Sequence, residues 1–134
     1  MLHMLDTNIF SALMKGHADV RMRLQSLDAA DVCISAITRS EVQFGVARRP
    51  EATKLAETAA TALQFFRTEP WDSLAADRHG TLRALLRDGG TPIGDFDEMI
   101  AAHALVLNAV LVTDNVKHFS RVPTLKVENW VRDH

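Results

Sequence analysis

Short apolar runs alternate with segments of helical periodicity along this chain, and the alternation constrains the fold more than any other feature. The clearest runs span residues 2–5, 32–34 and 110–112, and each is typical of a short buried strand. Weaker runs at 69–71 and 125–127 predict two more strands. Because helical segments separate the strands, the pattern predicts an α/β fold with a mostly parallel central sheet.

Capping residues mark several helix ends. Thr38 followed by Glu41 has the form of a capping box, so a helix is expected to begin at Thr38. Gly89 and Gly90 are expected to end another helix, and Asn108 is expected to end a third in the left-handed conformation. Helices are predicted at residues 9–15, 20–27, 38–47, 51–66, 74–86 and 95–107.

Four carboxylates lie at positions that a parallel sheet would bring together. Asp6 follows the first strand and Asp114 follows the strand at 110–112. Glu41 and Asp97 are expected on the first turns of two helices. Parallel sheets bind ligands at the carboxyl ends of their strands, so all four side chains are expected at one edge of the sheet.

Clustered carboxylates call for a cation, because like charges in a cleft are costly unless they are compensated. Mg²⁺ is the natural choice and Mn²⁺ a plausible substitute, since both take carboxylate oxygens. Such a site suits hydrolysis of a phosphodiester by a metal-activated water. The expected products carry 5′-phosphate and 3′-hydroxyl ends.

Each carboxylate also has a purely structural interpretation. Asp6 could cap the following helix, and Glu41 could be the partner of Thr38 in the capping box. Asp97 could interact with the helix dipole, and Asp114 could belong to an ordinary turn. None of these positions alone is specific for a metal site, but four carboxylates at strand ends or first helical turns are more than chance would readily give.

Polar residues beside the carboxylates are weaker candidates. Thr7 and Thr113, with the adjacent Asn8 and Asn115, could contact substrate or support the carboxylates, although packing at a strand end is an equal alternative. His103 is expected to be packed rather than to ligate a metal. Neither GxxxxGK[ST] nor GxGxxG is present, so a nucleotide cradle is not supported.

Composition limits the remaining classes. A length of 134 residues suits a single domain over residues 1–134. One cysteine can form neither an internal disulfide nor a zinc knuckle. No apolar run is long enough to span a membrane, and the first residues are too short for a signal peptide, so a cytoplasmic location is expected.

Net charge first argues against a nucleic-acid partner, because 15 Lys and Arg against 17 Asp and Glu give −2. Setting the four candidate site carboxylates aside leaves 15 basic against 13 acidic residues, a balance of +2. The near-neutral total is therefore compatible with an acidic pocket in a mildly basic surface. Several basic side chains could contact phosphates, although solvated surface is the commoner role for each: Arg39, Arg48, Arg49, Arg78, Arg83, Arg87, Lys117 and Arg121.

Five ordered segments resemble the PIN-domain ribonucleases of the VapC toxin type, the toxin half of bacterial type II toxin–antitoxin pairs. The matching segments are MLDTN at 4–8, ISAITRSE at 34–41, PIGDFDEMIAAHA at 92–104, LVTDN at 111–115 and FSRVP at 119–123. The resemblance extends from residue 2 to Trp130, nearly the whole chain. Each segment alone is only weakly specific for the family, whereas the five segments in this order are strongly specific for it.

The resemblance implies a three-layer α/β/α sandwich and a magnesium-dependent endoribonuclease. Asp6 and Asp97 would be the main metal ligands, Glu41 would ligate the metal or orient the attacking water, and Asp114 would complete the pocket, directly or through water. Members of the family cleave structured RNA, often transfer RNA or ribosomal RNA. An antitoxin inserts a segment into the active-site groove, and homodimers are usual.

Two positions depart from the family pattern. Asp95 stands where similar proteins often have a small residue or proline, and it is expected to cap the helix that carries Asp97 rather than to act as a fifth site carboxylate. His118 stands where many members have an acidic residue, and it is expected on the solvated surface, away from the acidic set.

Two further interpretations of function belong to other classes. A non-catalytic module that binds nucleic acid or protein would use the same carboxylates as caps and as a structural ion site. A phosphohydrolase of the haloacid dehalogenase type would need a second aspartate two residues after Asp6, where this chain has Asn8, so that option is poor.

Overall fold

A computed structural model describes residues 1–131. Its five strands form one sheet in the order β3-β2-β1-β4-β5, and every pair is parallel. The strands are β1 (His3–Leu5), β2 (Val32–Ser35), β3 (Arg67–Glu69), β4 (Val110–Val112) and β5 (Val127–Glu128). The predicted parallel sheet is therefore confirmed.

Seven α-helices occur within residues 1–131, joined by short loops and one 3-10 turn at Ala29–Asp31. The helices are α1 (Thr7–Met14), α2 (Ala18–Gln25), α3 (Ala36–Ala47), α4 (Thr53–Phe65), α5 (Ser73–Asp88), α6 (Asp95–Val106) and α7 (Val116–Phe119). Asn108 has φ +53°, as predicted for a left-handed end after α6.

Strand side chains alternate between two separate cores, which makes the molecule three layers thick. Met4, Cys33 and Leu111 point to a core that contains buried residues of α5 and α6. Leu5 and Val112 point to the opposite core, which contains buried residues of α1, α2, α3 and α4. Because both faces of the sheet are covered, the predicted α/β/α sandwich is confirmed.

The two edge strands begin and end elsewhere than predicted. The third strand ends at Glu69 instead of Trp71, because Pro70 has no N–H to continue the ladder. The last strand begins at Val127 instead of Leu125, because a turn in which the Leu125 N–H bonds the Val122 carbonyl precedes it. Thr124 has φ +65° in that turn.

Helix α3 begins two residues earlier than predicted. Ser35 is the N-cap, and its Oγ accepts a hydrogen bond from the Ile37 N–H at 3.0 Å. Thr38 is therefore a buried residue of the first turn, and the predicted capping box is wrong. Since β2 passes directly into α3, the strand's last residue serves as the cap.

No helix in the described part of the chain is both long and apolar enough to cross a bilayer.

Candidate active site

The sheet brings the ends of three neighbouring strands to one level. Leu5 pairs with Ile34 on one side and with Val112 on the other, so Asp6, Ser35 and Thr113 follow at the same edge. Strand β1 is also where the strand order reverses, since β2 and β3 lie on one side of it and β4 and β5 on the other. Such a switch point opens the crevice in which α/β proteins bind ligands.

Asp6 is buried at this switch point. Its Oδ1 accepts the Ile9 N–H at 2.9 Å, and the Thr113 hydroxyl donates to its carboxylate. Burial is the main cause that raises the pKa of Asp6 to about 6; the two hydrogen bonds lower it, and the charges of Asp114 and Asp97 add to the rise. The helix-cap and site interpretations of Asp6 are therefore compatible, since one oxygen caps α1 while the carboxylate lies in a field of negative charge.

Asp97 lies in the first turn of α6 and is half-buried. Burial raises its pKa, whereas the His118 side chain lowers it through its charge and a hydrogen bond. His118 Nε2 lies 3.2 Å from Asp97 Oδ2 and 2.5 Å from the Ile93 carbonyl oxygen. Because both partners only accept hydrogen bonds, Nε2 must carry the proton that they share.

Hydrogen bonds to both backbone groups of Ile93 hold the loop before α6. While the Ile93 carbonyl accepts from His118, the Ile93 N–H donates to Glu98 Oε2 at 3.4 Å. Gly94 follows with φ +102°, a left-handed conformation that favours glycine, and it is the N-cap of α6. These contacts fix the start of α6 and hence the position of Asp97.

Glu41 lies in the second turn of α3, not the first as predicted, because the helix begins at Ala36. The Thr7 hydroxyl lies 2.5 Å from Glu41 Oε1 and 3.2 Å from Thr38 Oγ1. The Thr7 hydroxyl has one proton to donate, and the closer carboxylate oxygen of Glu41 accepts that hydrogen bond. Thr7 therefore joins Glu41 to the first turn of α1, directly after Asp6.

Asp114 lies at the exposed rim of the site, next to a buried threonine. Asp114, Asn115 and Asn8 are exposed, whereas Thr113 is fully buried. The Thr113 hydroxyl accepts the Asn115 N–H at 3.0 Å and donates to Asp6, so it links the ends of β1 and β4. The structure thus places Asp97 and Asp114 within electrostatic reach of Asp6.

The donor set fits a hard divalent cation. Within residues 1–131, no three His, Cys, Asp or Glu side chains are close enough to form a preformed metal cage. Mg²⁺ does not need one, because it is commonly held by one or two carboxylates together with water and substrate phosphate. The buried, negatively charged Asp6 beside Asp97 and Asp114 supplies suitable oxygens.

Two expectations about neighbouring residues are wrong. Asp95 does not cap α6, since Gly94 does; its Oδ1 instead lies 3.5 Å from Nη2 of Arg87. His118 is not solvated surface, because its side chain is 23% exposed and contacts Asp97. Its partner Asp97 lies 21 residues earlier in the chain, so no local spacing could have revealed this contact.

His103 is packed, as predicted, and takes no part in the acidic set. It is 2% exposed, and its Nδ1 lies 2.8 Å from Ser35 Oγ. Burial lowers its pKa, so the ring is neutral near pH 7.

Replacing His118 with alanine is expected to raise the pKa of Asp97, because the substitution removes the side chain whose charge and hydrogen bond lower it. The pKa can be followed from the carboxyl carbon resonance of Asp97 during an NMR titration. Lys117→Ala is the matched control, since it removes an exposed positive charge from the same short helix. An unchanged Asp97 pKa in His118→Ala, or an equal rise in Lys117→Ala, would contradict the assigned contact.

This chain is similar to known proteins over nearly its whole length. The PIN-domain family model matches residues 3–125. Ribonuclease VapC2 of Rickettsia felis is 34% identical over 132 residues, covering 97% of this chain and 98% of the relative. The tRNA(fMet)-specific endonuclease VapC of Shigella flexneri is 36% identical over 132 residues, covering 95% of this chain and 96% of the relative.

A solved structure shows the same fold. The crystal structure of VapBC2 from Rickettsia felis, bound to a DNA fragment from their promoter, contains a chain that matches with a TM-score of 0.90 and 33% identity. The match covers 97% of this chain and 99% of that one. This chain therefore belongs to the PIN-domain family, among the VapC ribonucleases of toxin–antitoxin systems.

Proposed function

We propose that this protein is a divalent-metal-dependent endoribonuclease that hydrolyses a phosphodiester of structured RNA, with transfer RNA or ribosomal RNA as the substrate class. The observation that carries the proposal is the convergence of Asp6, Asp97 and Asp114 at the switch point of a parallel sheet. A buried carboxylate whose pKa is raised further by neighbouring carboxylates, as that of Asp6 is, is typical of a site that uses a cation.

Asp6 and Asp97 would hold Mg²⁺ or Mn²⁺, which supplies a metal-activated water and neutralises charge on the phosphate. Asp114 would contribute at the exposed rim, directly or through water. Hydrogen bonds fix each of the other carboxylates: Asp6 by Ile9 and Thr113, Asp97 by His118, and Glu41 by Thr7. Glu41 is thereby oriented to bind the metal or the attacking water.

The neutral residues beside the carboxylates take different roles in this proposal. Thr7 and Thr113 support the acids through their hydroxyl groups. Asn8 and Asn115 are exposed at the ends of β1 and β4, where they can meet the substrate.

The proposed partner that controls the enzyme is a cognate antitoxin that covers the active-site groove. A groove of about 760 Å³ between α1, α2 and α4 has a mostly apolar lining, including Leu24, Leu27 and Phe65. It shares Met14 and Thr58 with a smaller cleft that reaches Thr7 and Glu41, so a peptide in the groove could extend to the acidic site. A cytoplasmic homodimer completes the proposal, by similarity to the family.

Metal removal tests the proposed function directly. The purified protein is expected to cut RNA with Mg²⁺ or Mn²⁺, to leave 5′-phosphate and 3′-hydroxyl ends, and to stop in excess chelator. Ends are identified by sequencing the fragments with and without phosphatase treatment. Full activity in chelator would overturn the metal mechanism.

The competing interpretation, a non-catalytic binding module, makes the opposite prediction for growth. If the protein arrests cells by cleavage, expression of Asp97→Asn should permit growth. Growth arrest that persists with this variant would favour sequestration of a partner.

A further inference from the structure

We infer that the smaller cleft between α1, α3 and α4 is a binding site for RNA phosphates that flank the scissile bond. The inference rests on the proposed function and names how its substrate is held. The cleft has a volume of about 390 Å³, and one of its ends is formed by Thr7 and Glu41, which belong to the acidic site.

Three cations line this cleft: Lys15, Arg49 and Lys54. All three are exposed, and Glu41 is the single carboxylate among the described residues that line the cleft. Arg49 has an ion pair with Glu51 at 3.9 Å, but both side chains are well exposed, so the pair is weak. The cleft therefore carries an excess of positive charge beside a negative site.

Two of the cations, Lys15 and Arg49, follow residues of the acidic site by about two helical turns. Lys15 follows Thr7 by eight residues along α1, about 12 Å at 1.5 Å per residue. Arg49 follows Glu41 by the same number of residues along α3 and its C-terminal end. The acidic end repels bare phosphates while the basic end attracts them, so the charge pattern would set the direction in which a polyanion lies.

Hydroxyl groups complete the chemistry of the cleft. Thr7 and Ser11 precede Lys15 on the same face of α1, and Thr58 also lines the cleft. Such hydroxyls can bond phosphate oxygens and the 2′-hydroxyl of ribose. The larger groove has one arginine, Arg21, and one glutamate, Glu57, among a mainly apolar lining, so it lacks this excess of charge.

The salt dependence of RNA binding tests the inference. A fluorescein-labelled oligouridylate is titrated with the protein in EDTA, which prevents metal-dependent cleavage, over a series of NaCl concentrations. For a single strand, each phosphate contact contributes about −0.7 to the slope of log K against log salt. The slope of the triple variant Lys15→Gln, Arg49→Gln, Lys54→Gln is therefore expected to be shallower by about 2. Each single variant is expected to bind the oligouridylate about fivefold more weakly at ~0.1 M salt.

A charge-matched control uses exposed cations in the other helical layer and before β5. Arg78→Gln, Arg83→Gln and Lys126→Gln together remove the same charge without touching the cleft. This control should change the slope little. An equal loss of slope in the two triple variants would overturn the inference, because net charge alone would explain it.

The remaining outcomes separate the cleft from the proposed function. An unchanged slope in the cleft variant would overturn the inference, because the three cations would then make no phosphate contact. Metal-dependent cleavage with an unchanged slope would also overturn it while leaving the proposed function intact. A reduced slope in a protein that does not cleave RNA would support the cleft and contradict the proposed function.

Discussion

Asp6→Asn is expected to abolish RNA cleavage while leaving the fold intact. Asparagine is as good an N-cap as aspartate, so the oxygen that accepts the Ile9 N–H at 2.9 Å can be kept while the charge is lost. A metal contributes several kcal/mol of charge stabilisation in such reactions, and each 1.36 kcal/mol is a factor of ten. Single-turnover cleavage of labelled RNA should therefore slow by at least about a thousandfold.

The chain offers a matched control for this substitution. Asp72 caps α5 through the same contact, its Oδ1 accepting the Ala75 N–H at 3.1 Å, but it lies outside the acidic set. Asp72→Asn should cleave at the normal rate. Asp72→Ala should lose about 1 kcal/mol of stability with its cap and keep its activity, whereas Asp6→Ala should lose activity. Cleavage by Asp6→Asn within about tenfold of the unmodified protein would remove Asp6 from the catalytic machinery.

The sequence was sufficient to predict where Asp6 and Asp114 lie, because Asp6 directly follows a short apolar run and Asp114 follows another after one residue, Thr113. Apolar runs identify buried strands, and parallel pairing then fixes which ends meet. The edge strands carry no such signal. Strand β3 is the segment Arg-Thr-Glu, which has no apolar residue, so its position depends on pairing with β2 that a local pattern does not encode.

The error about Glu41 has a different cause. Thr38 and Glu41 match a capping box, but Ser35 ends β2 and caps α3 first, so the same residues fall one turn deeper in the helix. The contact that fixes Glu41 comes from Thr7, which is 34 residues away in the chain. Long-range contacts of this kind depend on the packing of α1 against α3, and spacing alone does not predict them.

The role of His118 also depends on contacts that are distant in the sequence. As a lone histidine among polar neighbours, it is typical of solvated surface. Its role depends on the loop before α6, whose Ile93 carbonyl and Asp97 carboxylate both lie within reach of Nε2. The Asp97 position was predicted from sequence, but the side chain that orients it was not.

Removing the negative charge of Asp6 is also expected to stabilise the protein at neutral pH when divalent cations are absent. The pKa of Asp6 is about 6 in the folded protein against an ordinary value of 3.8, a difference of about 3 kcal/mol. Because the folded state binds the proton more tightly, this carboxylate lowers stability as pH rises from about 4 to 6, and the full cost remains above pH 6. Asp6→Asn should therefore be more stable by up to about 3 kcal/mol near pH 7 and nearly equal near pH 4.

Urea unfolding in EDTA at the two pH values measures this difference, and Asp72→Asn serves again as the control. Adding Mg²⁺ near pH 7 should stabilise the unmodified protein, because a ligand that binds only the folded state raises the free energy of unfolding. It should stabilise Asp6→Asn much less. If Asp6→Asn were no more stable than the unmodified protein at either pH, the buried charge would carry no cost. The same carboxylate would then not be held in a field that favours a cation, and the strongest physical reason for a metal at this crevice would be lost.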